Sequence, residues 1–261
     1  SVDSGKQASQ LNVPFGKGFN VNDANIDNDT EVICFTQNET SSGVSVPLED
    51  IYSIREKHPN ALIAVDVVSS LPHPNFDYSK IDTAFFSVQK CFGMPAGLGV
   101  WLINERCIAK AEEMASKGIL IGPHQVLPEL AKMAKNNQTP STPNVLGIYT
   151  FAKVVEDMLK KGVETIRQET SQKAADLYAC IEANDYLSIA IENLAHRSET
   201  VIVANTDVSL ADWNNYLAEF DLVISAGYGK FKETQIRIAN FPAISTEIMA
   251  KLIGALNNYK K

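Results

Sequence analysis

Apolar positions in the first half of the chain fall into short unbroken runs of branched or aromatic residues, each bounded by turn residues. The runs are Glu31–Thr36 (EVICFT), Ala61–Val65 (ALIAV), Thr83–Val88 (TAFFSV) and Gly99–Ile103 (GVWLI). Continuous rather than alternating apolarity predicts strands covered on both faces. Pro47 predicts a helix through about Lys57, with Glu49 and Asp50 near its positive end. From Asn104 the period becomes helical: Glu105–Ser116, a stretch near Gln125–Lys135, then Pro143 to about Ala183 with an interruption at Gly162. Beyond lie expected strands at Thr200–Ala204, Asp221–Ser225 and Gln235–Ala239. A helix over Leu210–Phe220 takes Ser209 as its N-cap, and Ser245–Asn257 closes the chain as an amphipathic helix. Residues 1–30, polar and rich in Asn and Asp, predict no element.

This order predicts an α/β fold. Residues 1–160 form a large domain with a mostly parallel sheet flanked by helices, and residues 161–261 form a smaller C-terminal α+β domain. With 45% hydrophobic and 21% charged residues, the chain can bury a core, and no apolar run is long enough to span a bilayer. Lysine and arginine total 23 against 31 acids, a net charge of −8, which argues against a nucleic-acid groove. The four cysteines are scattered without metal-ligand spacing, so no metal site is expected and a reducing, cytoplasmic compartment is. The chain opens on Ser1 and its first methionine is Met94, so it is expected to begin inside a longer protein.

Candidate chemistry lies at the ends of the apolar runs, where open α/β sheets bind ligands. EVICFT runs into Gln37-Asn38-Glu39-Thr40, ALIAV ends at Asp66, and TAFFSV ends at Gln89-Lys90. On neighbouring strands these would bring a hydroxyl, an acid and a lysine to one edge. Taken singly, an Asp after a strand is a turn former or cap, and a Lys there is a solvated loop residue. The apolar strand before Lys90 and the Cys91-Phe92-Gly93-Met94-Pro95-Ala96-Gly97 turn after it instead suggest an amine sheltered from water, as suits a Schiff-base lysine. Asp66 could then hold a pyridine nitrogen protonated. Gly93 and Gly97 would let the backbone pass close to a bound group.

Three segments in register carry a resemblance: Asn38-Glu39-Thr40-Ser41-Ser42-Gly43-Val44, Ala64-Val65-Asp66-Val67-Val68-Ser69-Ser70, and Ser87-Val88-Gln89-Lys90 followed by Met94-Pro95-Ala96-Gly97-Leu98-Gly99. From about residue 31 to its C-terminus the chain resembles the class V aminotransferases. These are fold type I pyridoxal phosphate enzymes, and the likeness is nearest to the phosphoserine aminotransferases. The resemblance implies pyridoxal 5'-phosphate as cofactor, Lys90 as the lysine that bonds it and shuttles the substrate proton, and Asp66 as partner of the ring nitrogen. It implies that Thr40 faces the phenolic oxygen, and that Gln89 and Ser69 serve the cofactor phosphate. Thr142, in Pro140-Ser141-Thr142-Pro143, would reach that phosphate from the opposite subunit of a homodimer. Arg237 would grip the substrate carboxylate, although by itself it reads as a strand-edge ion pair.

The implied reaction transfers the amine of O-phospho-L-serine to 2-oxoglutarate, as in serine biosynthesis. Alternatives are an alanine- or serine-glyoxylate aminotransferase and a truncated chain without catalytic activity of its own. Cysteine desulfurases are disfavoured because Gln89 precedes Lys90 and Cys91 follows it in a turn. The family's glycine-rich phosphate turn, its stacking ring and its basic residues for a substrate phosphate are not identifiable in residues 1–30. Neither Trp101 nor Trp213 suits the stacking role, and His73 and His124 read as loop histidines. Dinucleotide, nucleotide-phosphate, zinc-protease and nucleophile-elbow motifs are absent.

Overall fold

The computed structural model describes residues 7–119 and 126–260. His124 and Gln125 lie outside them. The first sheet joins β1 (Val32–Thr36), β4 (Leu62–Asp66), β5 (Thr83–Ser87) and β6 (Gly99–Ile103) in the order β1-β4-β5-β6. β1, β4 and β5 run parallel, whereas β6 pairs antiparallel with β5. Between β1 and β4 come a short hairpin, β2 (Asn38–Glu39) and β3 (Val44–Ser45), and the helix α1 (Leu48–Lys57). Helices α2 (Glu105–Ser116), α3 (Leu127–Lys135) and α4 (Val145–Lys161) follow. Gly162, at φ 92°, ends α4 and starts α5 (Val163–Glu182).

The second sheet is antiparallel in the order β7-β8-β10-β9, from β7 (Leu187–Ile189), β8 (Val201–Thr206), β9 (Ser225–Ala226) and β10 (Gln235–Ala239). Helices α6 (Leu210–Ala218) and α7 (Thr246–Asn258) are N-capped by Ser209 and Ser245, whose side chains accept from Asp212 N and Ile248 N. Two cores result. Ile51 and Ile54 of α1 pack with Ile63, Val65, Ala84 and Phe86 of the first sheet, and α4 lays Phe151 and Met158 against them. Leu177 and Ile181 of α5 pack with Ile202, Trp213, Ile236 and Met249 around the second sheet. Each fully buried Leu or Ile contributes roughly 1.5–3 kcal/mol.

Among the described residues the first sheet is covered on one face only, contrary to the expectation from its continuous apolar runs. Cross-strand register puts Phe85 opposite both Asp66 and Trp101. On that face Phe85 is 42% and Trp101 44% exposed, while Ala84 and Phe86 on the other are buried. The helices that pack on the sheet reach only the second set. Asp221–Ser225 is mostly a turn as well: Asp221 takes φ 54°, and the strand is confined to Ser225–Ala226.

At the sheet edge where β4 and β5 begin lies an ion-pair cluster. The Asp82 carboxylate, 1% exposed, pairs with Arg55 and accepts from Ile63 N at 2.7 Å, Asn104 Nδ2 at 2.8 Å and Arg106 Nη1 at 3.0 Å. Arg55 also donates to the carbonyls of Lys80, Pro59 and Ala61.

A second cluster joins the loop after β4 to the segment before β8. His73 Nε2 lies 2.8 Å from Glu199 Oε2, which also accepts from Ser171 Oγ at 2.6 Å. The His73 hydrogen bond holds the Glu199 carboxyl below the ordinary carboxylate range, outweighing partial burial. The folded protein therefore takes up this proton at lower pH than the unfolded chain does. Its contribution to stability is full above the ordinary glutamate value, roughly 4.3, and is lost as acid protonates the folded carboxyl. Melting temperature is expected to fall below that pH more steeply in the wild type than in Glu199→Gln; parallel acid profiles would refute this.

Candidate active site

Thr36 of β1 lies opposite Asp66 of β4, so the chain leaves both strands at one edge of the sheet. Gln37 N then donates to Asp66 O at 3.0 Å, tying the departing segment to the end of β4. The β2–β3 hairpin turns back through Gly43, at φ 76°. A side chain there would begin 2.7 Å from Val203 of β8, so only glycine fits both the turn and the approach.

Thr40 stands in this turn and joins three parts of the chain. Its hydroxyl accepts from Lys90 Nζ at 3.0 Å, and its carbonyl accepts from Arg237 Nη1 at 3.2 Å. Lys90 follows β5 in a turn closed by Gly93 N donating to Lys90 O at 3.1 Å. Gly93 has φ 64°, and a Cβ there would lie 2.7 Å from Cβ of Ala243. Arg237, on β10, also donates from Nε to Ala226 O at 2.8 Å and packs 5.8 Å from the Tyr228 ring centre. Asp66 Oδ1 accepts from Val68 N at 2.9 Å. Among the described residues neither Lys90, Asp66 nor Arg237 has an ion-pair partner.

Lys90 and Arg237 thus each contact Thr40, and the main chain of Asp66 is tied to the start of the same segment through Gln37 N. The dry setting expected for Lys90 is not met, because one sheet face is open and the amine is half-buried. Ser69 is 1% exposed, and its hydroxyl donates to Asn38 O at 2.8 Å while accepting from Asn38 Nδ2 at 2.9 Å. Gln89 is exposed, as is Thr142 in the loop before α4, and among the described residues no hydrogen bond joins either side chain to Thr40, Lys90 or Arg237. Cys91 is buried, and loss of water pushes its thiol up to about 12 despite the opposing Lys90 charge. Such a thiol is no nucleophile near neutral pH. Trp213 is buried in the second core, its Nε1 donating to Thr206 Oγ1 at 3.1 Å, and Trp101 donates to Thr83 Oγ1 at 2.7 Å. Sequence reasoning missed Asn38, quoted only as part of a segment, and Thr200, whose hydroxyl donates to Ser69 O at 2.6 Å. Nothing in the local pattern marks either.

Lysine amine, strand-end carboxylate and unpaired guanidinium form a donor set that suits an aldehyde cofactor with a basic ring nitrogen and a carboxylate substrate. Comparison with known proteins points the same way. The model of the class-V aminotransferase family matches residues 19–231. A crystal structure of a phosphoserine aminotransferase from Cytophaga hutchinsonii is 49% identical and superposes with a TM-score of 0.95, covering 98% of this chain and 71% of that one. The phosphoserine aminotransferase of Rhodococcus opacus is 27% identical over 234 residues, 88% of this chain. The chain spans 62% of that relative's length. An alanine–glyoxylate aminotransferase from Nostoc sp., 19% identical with a TM-score of 0.75 over 87% of this chain and 60% of its own, shares the fold.

Proposed function

The chain belongs to the class-V aminotransferase family, and from that premise we propose that it transfers the amine of O-phospho-L-serine to 2-oxoglutarate with pyridoxal 5'-phosphate as cofactor. The reading rests on one observation: Thr40 receives the Lys90 amine on its hydroxyl and the Arg237 guanidinium on its carbonyl. When bound, the cofactor supplies an aldehyde that takes up amines and a ring that stabilises negative charge on the substrate α-carbon. Lys90 offers an amine held, among the described residues, by a neutral hydroxyl alone, and it moves a proton at its own nitrogen. Asp66 would keep a ring nitrogen protonated, and Arg237 would pair its planar fork with a carboxylate. Thr40 would face the phenolic oxygen. Of the two phosphate candidates, Gln89 has its amide free among the described residues, whereas the Ser69 hydroxyl is committed to Asn38.

Thr142 would serve a neighbouring subunit. Val145, Leu146 and Tyr149, all exposed at the start of α4 beside it, suit the apolar contact of a homodimer. The domain division falls at about residue 160, with cofactor binding in 1–160 and the small domain in 161–261. We place the protein in the cytoplasm, and no helix of the described residues is long and apolar enough to cross a membrane.

Turnover with 2-oxoglutarate tests the reading: kcat/KM is expected to be highest for phosphoserine among phosphoserine, serine and alanine. No preference would move the assignment to the glyoxylate-type enzymes. Arg237→Gln is expected to raise KM for donor and acceptor alike, by about 10- to 100-fold, the worth of a charge-assisted pair. A KM unchanged for both would remove Arg237 from the site. The open sheet face favours a second reading, in which this chain binds cofactor without completing turnover. A bound cofactor with no product from any donor would select it.

A further inference from the structure

The hairpin that carries Thr40 has only two ladder pairs, Asn38 with Ser45 and Glu39 with Val44, too few to fix its turn alone. Its base is held instead by buried side chains from distant parts of the chain. Asn38, Ser69 and Thr200 are 4%, 1% and 1% exposed. Thr200 Oγ1 donates to Ser69 O, Ser69 Oγ donates to Asn38 O, and Asn38 Nδ2 donates back to Ser69 Oγ. Thr200 directly precedes β8, and its carbonyl accepts from Asn240 N at 2.8 Å. β8 pairs with β10 so that Val203 faces Arg237, and Arg237 returns to the carbonyl of Thr40. The contacts close a circuit: Thr200, Ser69, Asn38, Thr40, Arg237 and back to β8.

We infer that Asn38, Ser69 and Thr200 are positioning residues, a buried hydrogen-bond chain that sets the Thr40 hydroxyl against the Lys90 amine. The inference rests on the reading of Lys90 given above. None of the three need touch substrate or cofactor. Asn38 is two residues from Thr40, so a shift at its carbonyl passes to the hydroxyl that orients the amine, and small misplacements of reacting groups are costly.

The test labels the full chain with pyridoxal 5'-phosphate, reduces it with borohydride, and locates the label by mass spectrometry across a range of pH. Lys90→Ala is the blank. Ser69→Ala and the isosteric Thr200→Val are expected to slow labelling of Lys90 by about tenfold or more and to shift the pH of half-maximal labelling. Thr200→Ser, which keeps the hydroxyl, is expected to restore both. Labelling in Ser69→Ala and Thr200→Val equal to wild type, with only the melting temperature lowered, would show mere structural support and overturn the inference. Wild-type protein unlabelled at Lys90 would overturn the reading of Lys90 and the inference with it.

Discussion

Lys90→Ala is expected to abolish any yellow colour that the wild-type chain takes on with pyridoxal phosphate, and to lower any transamination by at least about 10³-fold. Among the described residues at this sheet edge it is the Lys90 amine that can bond an aldehyde, and its neighbours there leave it free: a neutral hydroxyl at 3.0 Å and no carboxylate in contact. Cys91 offers no substitute, since it is buried with its thiol held protonated. Lys90→Arg keeps the charge and should be as colourless as the alanine variant, which separates bonding from electrostatics. Because Lys90 is half-buried and makes no ion pair among the described residues, either change should leave stability within roughly 0.5 kcal/mol. Absorbance spectra of the three proteins, before and after borohydride, decide the matter. Equal colour in all of them would remove Lys90 from the chemistry.

The largest loss of stability is expected from Asp82→Ala. The carboxylate is buried and satisfied by two guanidinium groups, an amide side chain and a backbone N–H. Its removal leaves the Arg55 charge buried beside carbonyls only, which costs about 3–5 kcal/mol. In a protein of this size that lowers the melting temperature on the order of 10 °C. Urea unfolding gives the difference directly. A double replacement, Asp82→Leu with Arg55→Met, should recover much of the loss, because the penalty comes from the orphaned partner rather than from the missing pair. A single variant within about 1 kcal/mol of wild type would show that water reaches the cluster.

Local signals proved readable where physics is local. β6, α2 and β10 take the boundaries their patterns predict, and Ser209 and Ser245 cap α6 and α7 as their positions require. The β2–β3 hairpin was not legible, because Gln37–Gly43 is polar and its strands are fixed by partners elsewhere rather than by alternation. β7, of three residues, is too short to show a period. The apolar run at Thr83–Val88 correctly announced a strand but not which face would be covered; that depends on helices distant in sequence. At the site, the ends of three strands were enough to bring Lys90, Thr40 and Asp66 to notice. The buried chain through Ser69 links residues 31 and 131 positions apart, and the Asp82 cluster joins residues 19 to 27 positions apart. Such long-range pairings leave no mark on composition or period.

Gly93 stands at the one turn where the lysine loop abuts the segment leading into α7. Its bare α-carbon sets how closely the two halves of the molecule can meet. A methyl group there would work as a wedge, pushing the segment that follows β10 away from the Lys90 turn. The missing side chain is therefore a clearance built into the chain by omission.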